Sequence, residues 1–444
     1  MNGIHRFTHQ GRYFVVRKST LTLFEERRSF IPFLNRKQPI SSVRYNYTRN
    51  FKKEINNKFE SNDQGCEYLF LNISHICNMR CVYCFANTGN YGGKLSLMKE
   101  DVAKLALDSV FANARAPEIV INFFGGEPLL NEQILHLSVS YAKKLANTHN
   151  KNIVFIVTTN ATRNLLRIGK ILQNTKHSIC VSIDGDEKTH NKNRPLKNSK
   201  TNSYKLVYDN IKTYGEKFSL NNITAKATWR LHDNDLIKTV ESIVKLGIFN
   251  IYLSKETQFT NSFIPSVEQN ISDFQIILRS YNELAKWYVE KLNLGIKLLI
   301  RPLYTIFRAL LLSEIIRYRC MAGYKERCIT PSGDIFPCHR FVGNNDYLIG
   351  SVYKKVLNRV LIKKLEKAER YTHSECNKCW AEYWCFSNRC LYQNIKLNQE
   401  LHEVNEKEFC SFMKDLLELM CFHVSNLNSV ALATLGCNNY VLNS

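Results

Sequence analysis

The sequence predicts an α/β fold: an open barrel of six β/α units between a small β-rich N-terminal module and a cysteine-rich C-terminal region. Three observations predict it. Residues 1–24 alternate apolar and polar side chains, the period of short half-buried strands. From Glu67 onward, apolar runs alternate with stretches of helical spacing, the pattern of parallel βαβ units. From Cys320 the composition changes again, and seven of the 15 cysteines lie between Cys320 and Cys390. The expected boundaries are 1–63, 64–305 and 306–444.

In the first module, IHRFTHQ, RYFVVRK and LTLFE read as strands, with turns at Gln10-Gly11 and Ser19-Thr20. Polar, basic sequence follows to about Asp63. The second region opens with the strand YLFLNIS, then a helix within 99–114, the strand EIVINFF and a helix within 131–146. NIVFIVTT is a strand followed by a short helix. HSICVSID is a strand with a helix later near 204–214, and ITAKATW and NIYLS complete six strands. Such a set makes a (β/α)6 partial TIM barrel. The strands end in small or reactive residues: Cys77, Gly125 to Glu127, Thr159-Asn160, and Ser182 with Asp184. Barrels of this kind carry their chemistry at the C-terminal rim of the strands. A helix is expected near 273–293, and no long helix between Cys320 and Glu408.

The chain has 444 residues, 44% hydrophobic and 23% charged, enough for two or three ordinary cores. No apolar run reaches the ~20 residues of a membrane span, and the N-terminus lacks the apolar core of a secretory signal. A cytoplasmic protein is expected. In that setting an odd number of clustered cysteines points to metal ligation or catalysis rather than disulfides. Net charge is +22, and residues 1–60 hold 13 Lys+Arg against 4 Glu. That balance suits an anionic partner, an acidic peptide or nucleic acid, and equally a solvated basic surface.

The first constellation is Cys77-Asn-Met-Arg-Cys81-Val-Tyr-Cys84, directly after the first barrel strand. Three thiolates so close can hold one face of a four-iron cubane and leave one iron without a protein ligand, since such clusters ordinarily take four cysteines. A structural zinc site needs a fourth ligand, for which His75 and Cys66 are nearest. One strand later comes Phe124-Gly125-Gly126-Glu127-Pro128, where two glycines let a backbone approach a ligand closely. Asn160, Ser182 and Asp184 follow at the next strand ends, where Asn and Asp are also ordinary helix caps. The second constellation starts at Cys320. Gly333 follows after twelve intervening residues and Cys338 after four more; then come Cys376-Asn-Lys-Cys379, Cys385, Cys390 and Cys410.

The cysteine triad, with Tyr83 in its aromatic place, resembles the signature of radical S-adenosylmethionine enzymes. The second constellation resembles the auxiliary SPASM domain of part of that family. It carries one residue more than that pattern between Cys385 and Cys390. The resemblance covers about residues 67 to 420. It implies a [4Fe-4S] cluster on Cys77, Cys81 and Cys84 that chelates S-adenosylmethionine and cleaves it to a deoxyadenosyl radical. It implies cofactor contacts from Tyr83, Gly125, Gly126, Glu127, Asn160, Ser182 and Asp184. On the fifth strand a carboxylate partner is implied at Lys226 or Arg230, Lys226 being the choice here. It also implies two auxiliary [4Fe-4S] clusters, the outer on Cys376, Cys379, Cys385 and Cys410, the inner on Cys320, Cys338 and Cys390. Cys328 either closes the inner cluster or is an inert core cysteine.

Leu71 to Gly92 and Cys338-His-Arg-Phe-Val-Gly343 look like maturases of cysteine-rich ribosomal peptides. That likeness implies a thioether-forming peptide maturase, fed by a low-potential donor such as ferredoxin or flavodoxin. The N-terminal strands fit the β half of a leader-binding module, which would add a precursor segment as a strand. Three alternatives stay open. One is a sulfatase-type or carbon–carbon crosslinking SPASM enzyme. Another is a zinc-containing basic nucleic-acid-binding protein, which would be colourless and salt-sensitive. The third is a non-catalytic scaffold.

Overall fold

The computed structural model describes residues 4–18, 22–26, 38–39, 65–198, 201–231, 235–256, 271–316, 320–354, 356–370, 374–385, 390–398, 401 and 407–437. The turn expected at Ser19-Thr20 and most of the basic stretch up to Asp63 lie outside these residues. The N-terminal strands form as read: β1 (Ile4–His9), β2 (Arg12–Arg17) and β3 (Thr22–Glu26) pair antiparallel, with a short β4 (Gln38–Pro39) beside β3. Gln10 and Gly11 turn β1 into β2, both at positive φ.

The six barrel strands also form: β5 (Tyr68–Ser74), β6 (Glu118–Gly125), β7 (Asn152–Thr159), β8 (Lys176–Ser182), β9 (Ile223–Trp229) and β10 (Asn250–Lys255). They lie side by side in chain order, every pair parallel. Helices at Glu100–Phe111, Glu132–His149, Leu165–Leu172, Ser203–Gly215, Leu236–Val244 and Ile271–Asn293 intervene or follow. The two faces of the strands differ by parity, because side chains alternate along a strand. Odd positions (Leu69, Leu71, Ile121, Phe123, Ile179, Val181, Ile251) are buried in one apolar core with the helices. Each such side chain contributes about 1.5–3 kcal/mol by leaving water. Even positions carry polar groups, linked from strand to strand. Asn122 Nδ2 donates to Tyr68 Oη at 3.0 Å and Thr158 Oγ1 to Asn122 Oδ1 at 3.2 Å. Asn250 Nδ2 donates to Thr224 Oγ1 at 2.8 Å, and Arg301 Nη1 to Asn250 Oδ1 at 3.0 Å.

The sheet extends beyond six strands at both edges. A seventh parallel strand, β11 (Leu299–Arg301), lies against β10. On the other side β12 (Glu326–Ile329) pairs parallel with β5, and β13 (Asp334–Phe336) and β14 (Gly350–Ser351) continue antiparallel. One ten-stranded sheet therefore crosses the expected boundary at residue 305. These added strands are two to four residues long, too short to show a period in sequence.

The absence of long helices between Cys320 and Glu408 is corrected by a 12-residue helix, Arg359–Arg370. Its sequence, RVLIKKLEKAER, is rich in straight-chain helix formers. Ile362 and Leu365 are buried on one side, the spacing of one helix face. Among the described residues, no helix is long and apolar enough to cross a membrane.

The N-terminal sheet rests on the C-terminal region. His5 stacks on Trp380 with centroids 4.2 Å apart, and its Nε2 lies 2.6 Å from Glu418 Oε1. Glu418 belongs to the long helix Lys407–Val424, whose Phe422 packs on His9 and Phe14.

Candidate active site

The triad loop leaves β5 at Ser74 and is held on two sides. Against it runs 193–197, which Arg80 N joins by donating to Pro195 O at 2.9 Å and Val82 N to Asn193 O at 3.0 Å. From the other side comes the Gly-Gly-Glu loop, where Gly126 N donates to Ser74 O at 2.7 Å and Glu127 N to Ile76 O at 2.9 Å. Glycine is required here. A Cβ on Gly125, whose φ is +128°, would lie 2.1 Å from the Ser74 carbonyl oxygen, and one on Gly126 would lie 2.5 Å from that of Ile76.

Cys77, Cys81 and Cys84 are half-buried free thiols. Burial pushes Cys77 up to about 12 and Cys81 up to about 11. As free side chains they hold their protons, which a bound metal must displace. Two donors approach the sulfurs: Asn160 Nδ2 is 3.8 Å from Cys77 Sγ, and Arg194 Nη1 is 3.9 Å from Cys81 Sγ.

The carboxylates at the strand ends are engaged within the protein. Glu127, fully buried, accepts from Leu129 N at 2.9 Å, Thr159 Oγ1 at 2.7 Å and Asn160 N at 2.7 Å. It ties the Gly-Gly loop to the end of β7. Desolvation raises Glu127 to about 7, against those bonds. Asp184, also fully buried, accepts from Thr228 N at 2.9 Å and from the Tyr83 hydroxyl, and pairs with Arg194 Nε at 3.1 Å. The Arg194 guanidinium lies 5.2 Å over the Tyr83 ring. Ser182 and Lys226 are register partners on adjacent strands, both half-buried. Arg230 is paired with Glu256 at 2.7 Å.

Arg194 escaped the sequence reading. It lies ten residues beyond Asp184 in a polar stretch without a motif, and only the folded loop brings it to Cys81.

In the second constellation, Cys376, Cys379 and Cys385 lie on one segment, folded by Cys379 N donating to Cys376 O at 3.0 Å and Cys385 N to Ala381 O at 2.7 Å. Cys410 sits in the first turn of Lys407–Val424. Cys338 and Cys328 are buried in one cluster against which Cys320 packs, and burial raises Cys320 to about 12. His339, next to Cys338, packs on Phe70, Phe124 and Phe85 with centroids 4.2, 4.8 and 5.6 Å away. Phe85 follows Cys84, so the two constellations meet through adjacent residues. The Tyr91 carbonyl also closes on Gly343, where a Cβ would come within 2.6 Å.

Comparison with known proteins agrees with this geometry. The Radical SAM superfamily profile matches residues 71–252. Protein MJ0907 of Methanocaldococcus jannaschii is 31% identical over 46% of this chain and 69% of its own length. The chain belongs to the radical SAM superfamily. The cysteine-type anaerobic sulfatase-maturating enzyme of Clostridium novyi is 24% identical over 81% of this radical SAM chain and 95% of its own. Among solved structures, anSMEcpe with bound AdoMet matches with a TM-score of 0.63 at 18% identity, covering 81% of this chain and 99% of that one. Streptococcus suis SuiB bound to precursor peptide SuiA matches with a TM-score of 0.55 at 16% identity, covering 78% and 76%. These two likenesses are likenesses of fold.

As a radical SAM protein the chain is an enzyme that uses S-adenosylmethionine and a [4Fe-4S] cluster. The donor set fits that cluster: three free thiols within eight residues, with an amide and a guanidinium aimed at two of the sulfurs, where donors favour the thiolate.

Proposed function

We propose that this radical SAM enzyme is a peptide maturase that installs a crosslink, a thioether, in a ribosomally made precursor peptide. The observation that carries the reading is the contact between Phe85 and His339, the residues following Cys84 and Cys338. It joins the radical centre to a second thiol-rich centre, so one substrate can touch both. When bound, the cluster and S-adenosylmethionine supply a radical that removes a hydrogen atom, and auxiliary clusters an acceptor for the electron left as carbon and sulfur join.

The chain's own residues do the positioning. Cys77, Cys81 and Cys84 hold the radical cluster. The Gly125-Gly126 backbone meets the methionine end of the cofactor. Ser182 and Lys226 offer polar contacts to the rest of it, while Asn160 braces the triad loop, its Nδ2 donating to Asn78 Oδ1 and its Oδ1 accepting from Thr162. Tyr83, Glu127 and Asp184 position these loops from within, since their polar atoms are occupied by protein partners. Cys376, Cys379, Cys385 and Cys410 hold an outer auxiliary cluster; Cys320, Cys338 and Cys390 hold an inner one. A chain of +22 suits an acidic leader and an acidic electron donor such as ferredoxin or flavodoxin. The outer edge of β1 has no strand partner among the described residues and is where a leader would add as a strand.

The test is anaerobic incubation of the reconstituted enzyme with S-adenosylmethionine, a reductant and a cysteine-rich precursor peptide. Deoxyadenosine, with a peptide two hydrogens lighter and one alkylatable thiol fewer, is expected. No deoxyadenosine overturns the reading. A second reading, conversion of a cysteine to an aldehyde, is favoured by the similarity to a sulfatase-maturating enzyme along nearly all of that enzyme's length. It predicts a product that reacts with hydrazide and contains no crosslink.

A further inference from the structure

The triad loop brings the radical centre to the protein surface. Cys77, Cys81 and Cys84 are half-buried, yet Val82, between two of them, is 53% exposed. An isolated exposed valine needs no explanation. This one stands one residue from Cys81 and two from Cys84, and the charge around it is of one sign.

Val82 N donates to Asn193 O, Arg80 N to Pro195 O and Lys197 N to Asn78 O, so 78–82 and 193–197 lie side by side. At the start of the loop, His75 N donates to Ser96 O at 2.8 Å, which brings the segment 94–99 against it. Residues 76–99 and 188–198 contain no Asp or Glu. Arg80, Lys94, Lys99, Lys188 and Lys192 are exposed, and Leu95 and Leu97 are exposed between Lys94 and Lys99. The carboxylates that bound these segments have partners of their own, Glu100 in Lys104 at 2.7 Å and Glu187 in Asn202. A field of one sign that is not cancelled locally steers a partner of the other sign. Apolar side chains rimmed by charge are the ordinary anatomy of an interface. Electron-transfer encounters need little area, under about 1,200 Å² in total.

We propose that this face, Val82 with Arg80, Lys94 and Lys192 on and beside the triad loop, is where a small acidic one-electron carrier of the flavodoxin or ferredoxin kind docks to reduce the radical cluster. The carrier gives up one electron and the cluster takes up one, with no bond or proton exchanged. This rests on the reading above that Cys77, Cys81 and Cys84 hold that cluster. A carrier seated on Val82 is one and two residues of chain from two of the thiolates. An acidic leader peptide, by contrast, gains nothing from lying beside an iron.

The test uses the reconstituted full chain and a purified flavodoxin. The variant Arg80→Gln/Lys94→Gln/Lys192→Gln removes charge from the face and alters no thiol. With dithionite, a small reductant that needs no docking, parent and variant are expected to form deoxyadenosine at the same rate. A parent that forms none removes the radical-centre reading itself. With reduced flavodoxin, the half-saturating concentration is expected to rise about tenfold or more in the variant. Calorimetric affinity for oxidised flavodoxin, which needs no turnover, should fall by the same factor, and Val82→Ser should weaken it with the charges intact. A control, Lys363→Gln/Lys364→Gln/Lys367→Gln, removes equal charge from the exposed side of the helix Arg359–Arg370 and should bind flavodoxin as the parent does. Parent-like binding in the first variant overturns the proposal, as do equal or larger losses in the control. A first variant that loses affinity for a cysteine-rich precursor peptide and keeps it for flavodoxin gives the face to the leader and overturns the proposal too.

Discussion

Arg194 reaches Cys81 and Asp184 with one guanidinium: Nη1 is 3.9 Å from the sulfur and Nε 3.1 Å from the carboxylate. Asp184 is fully buried and Arg194 nearly so. Removing one partner of a buried pair leaves the other charge uncompensated, at a cost of about 3–5 kcal/mol. Arg194→Met is expected to lose about that much in denaturant unfolding and to take up less iron. Arg194→Lys restores the charge without the planar fork and should fall between. A Met variant as stable and as iron-rich as the parent would show that the pair does not brace the triad.

Cys81→Ala removes one of three thiolates from the proposed radical cluster. Iron content after anaerobic reconstitution should fall by roughly four per chain, and deoxyadenosine should no longer form. The cysteines of the proposed auxiliary centres, on separate elements, should keep their iron. Full turnover in this variant would exclude the triad as the radical centre.

Gly125→Ala tests the close approach of the two loops. The position has φ +128°, and the added carbon would fall 2.1 Å from a backbone oxygen that cannot yield cheaply. The Ser74 carbonyl also accepts Gly126 N, so the clash displaces the start of the triad loop. Soluble protein with much reduced affinity for S-adenosylmethionine in calorimetry is expected, or loss of the fold. Unchanged affinity would mean that the loop does not approach the cofactor.

The six central strands and the triad were legible because each is a continuous run with a marked end. YLFLNIS, EIVINFF and NIVFIVTT are long enough to read as continuous apolar runs, and Cys77, Gly125 and Asn160 stand where the runs stop. Strand β12 was not, since four residues carry no period and its partner β5 lies more than 250 residues earlier. The roles of Glu127 and Asp184 were only half legible. Sequence put them at the rim, whereas their bonds to Asn160, Thr228 and Tyr83 depend on neighbouring strand ends that meet only when folded.

His423 gives the fold a pH dependence. It is buried on Lys407–Val424, where Nε2 meets Asn282 Oδ1 at 2.8 Å, and desolvation, aided by His9 and Lys286, lowers it to about 4. The unfolded chain binds a proton there near pH 6.5, the folded chain only near 4. Between these values the unfolded state holds more protons, so stability is present above about 6.5 and is lost as pH falls toward 4, by at most about 3 kcal/mol. His423→Gln, able to keep the bond to Asn282, should flatten this slope relative to the parent in denaturant titrations from pH 7.5 to 4.5. Parallel slopes would place the titration elsewhere.

Lys18 ties the N-terminal sheet to the segment between Cys376 and Cys385. Its Nζ lies 2.7 Å from Glu382 Oε2 and donates to Asn377 O at 2.6 Å, with side-chain exposures of 13% for Lys18 and 8% for Glu382. Lys18→Ala strands the Glu382 carboxylate in a setting with little water, at a cost of about 1–3 kcal/mol after allowing for partial screening. Because Asn377 lies directly after Cys376, the proposed outer centre should release its iron faster to a chelator, while iron on the triad exits at the parent rate. Adding Glu382→Gln removes the stranded charge and should recover stability without restoring the link to Asn377. Chelator kinetics of single and double variants thus separate the two roles, and equal rates in all three proteins would show that the N-terminal sheet does not hold the outer cysteines in place.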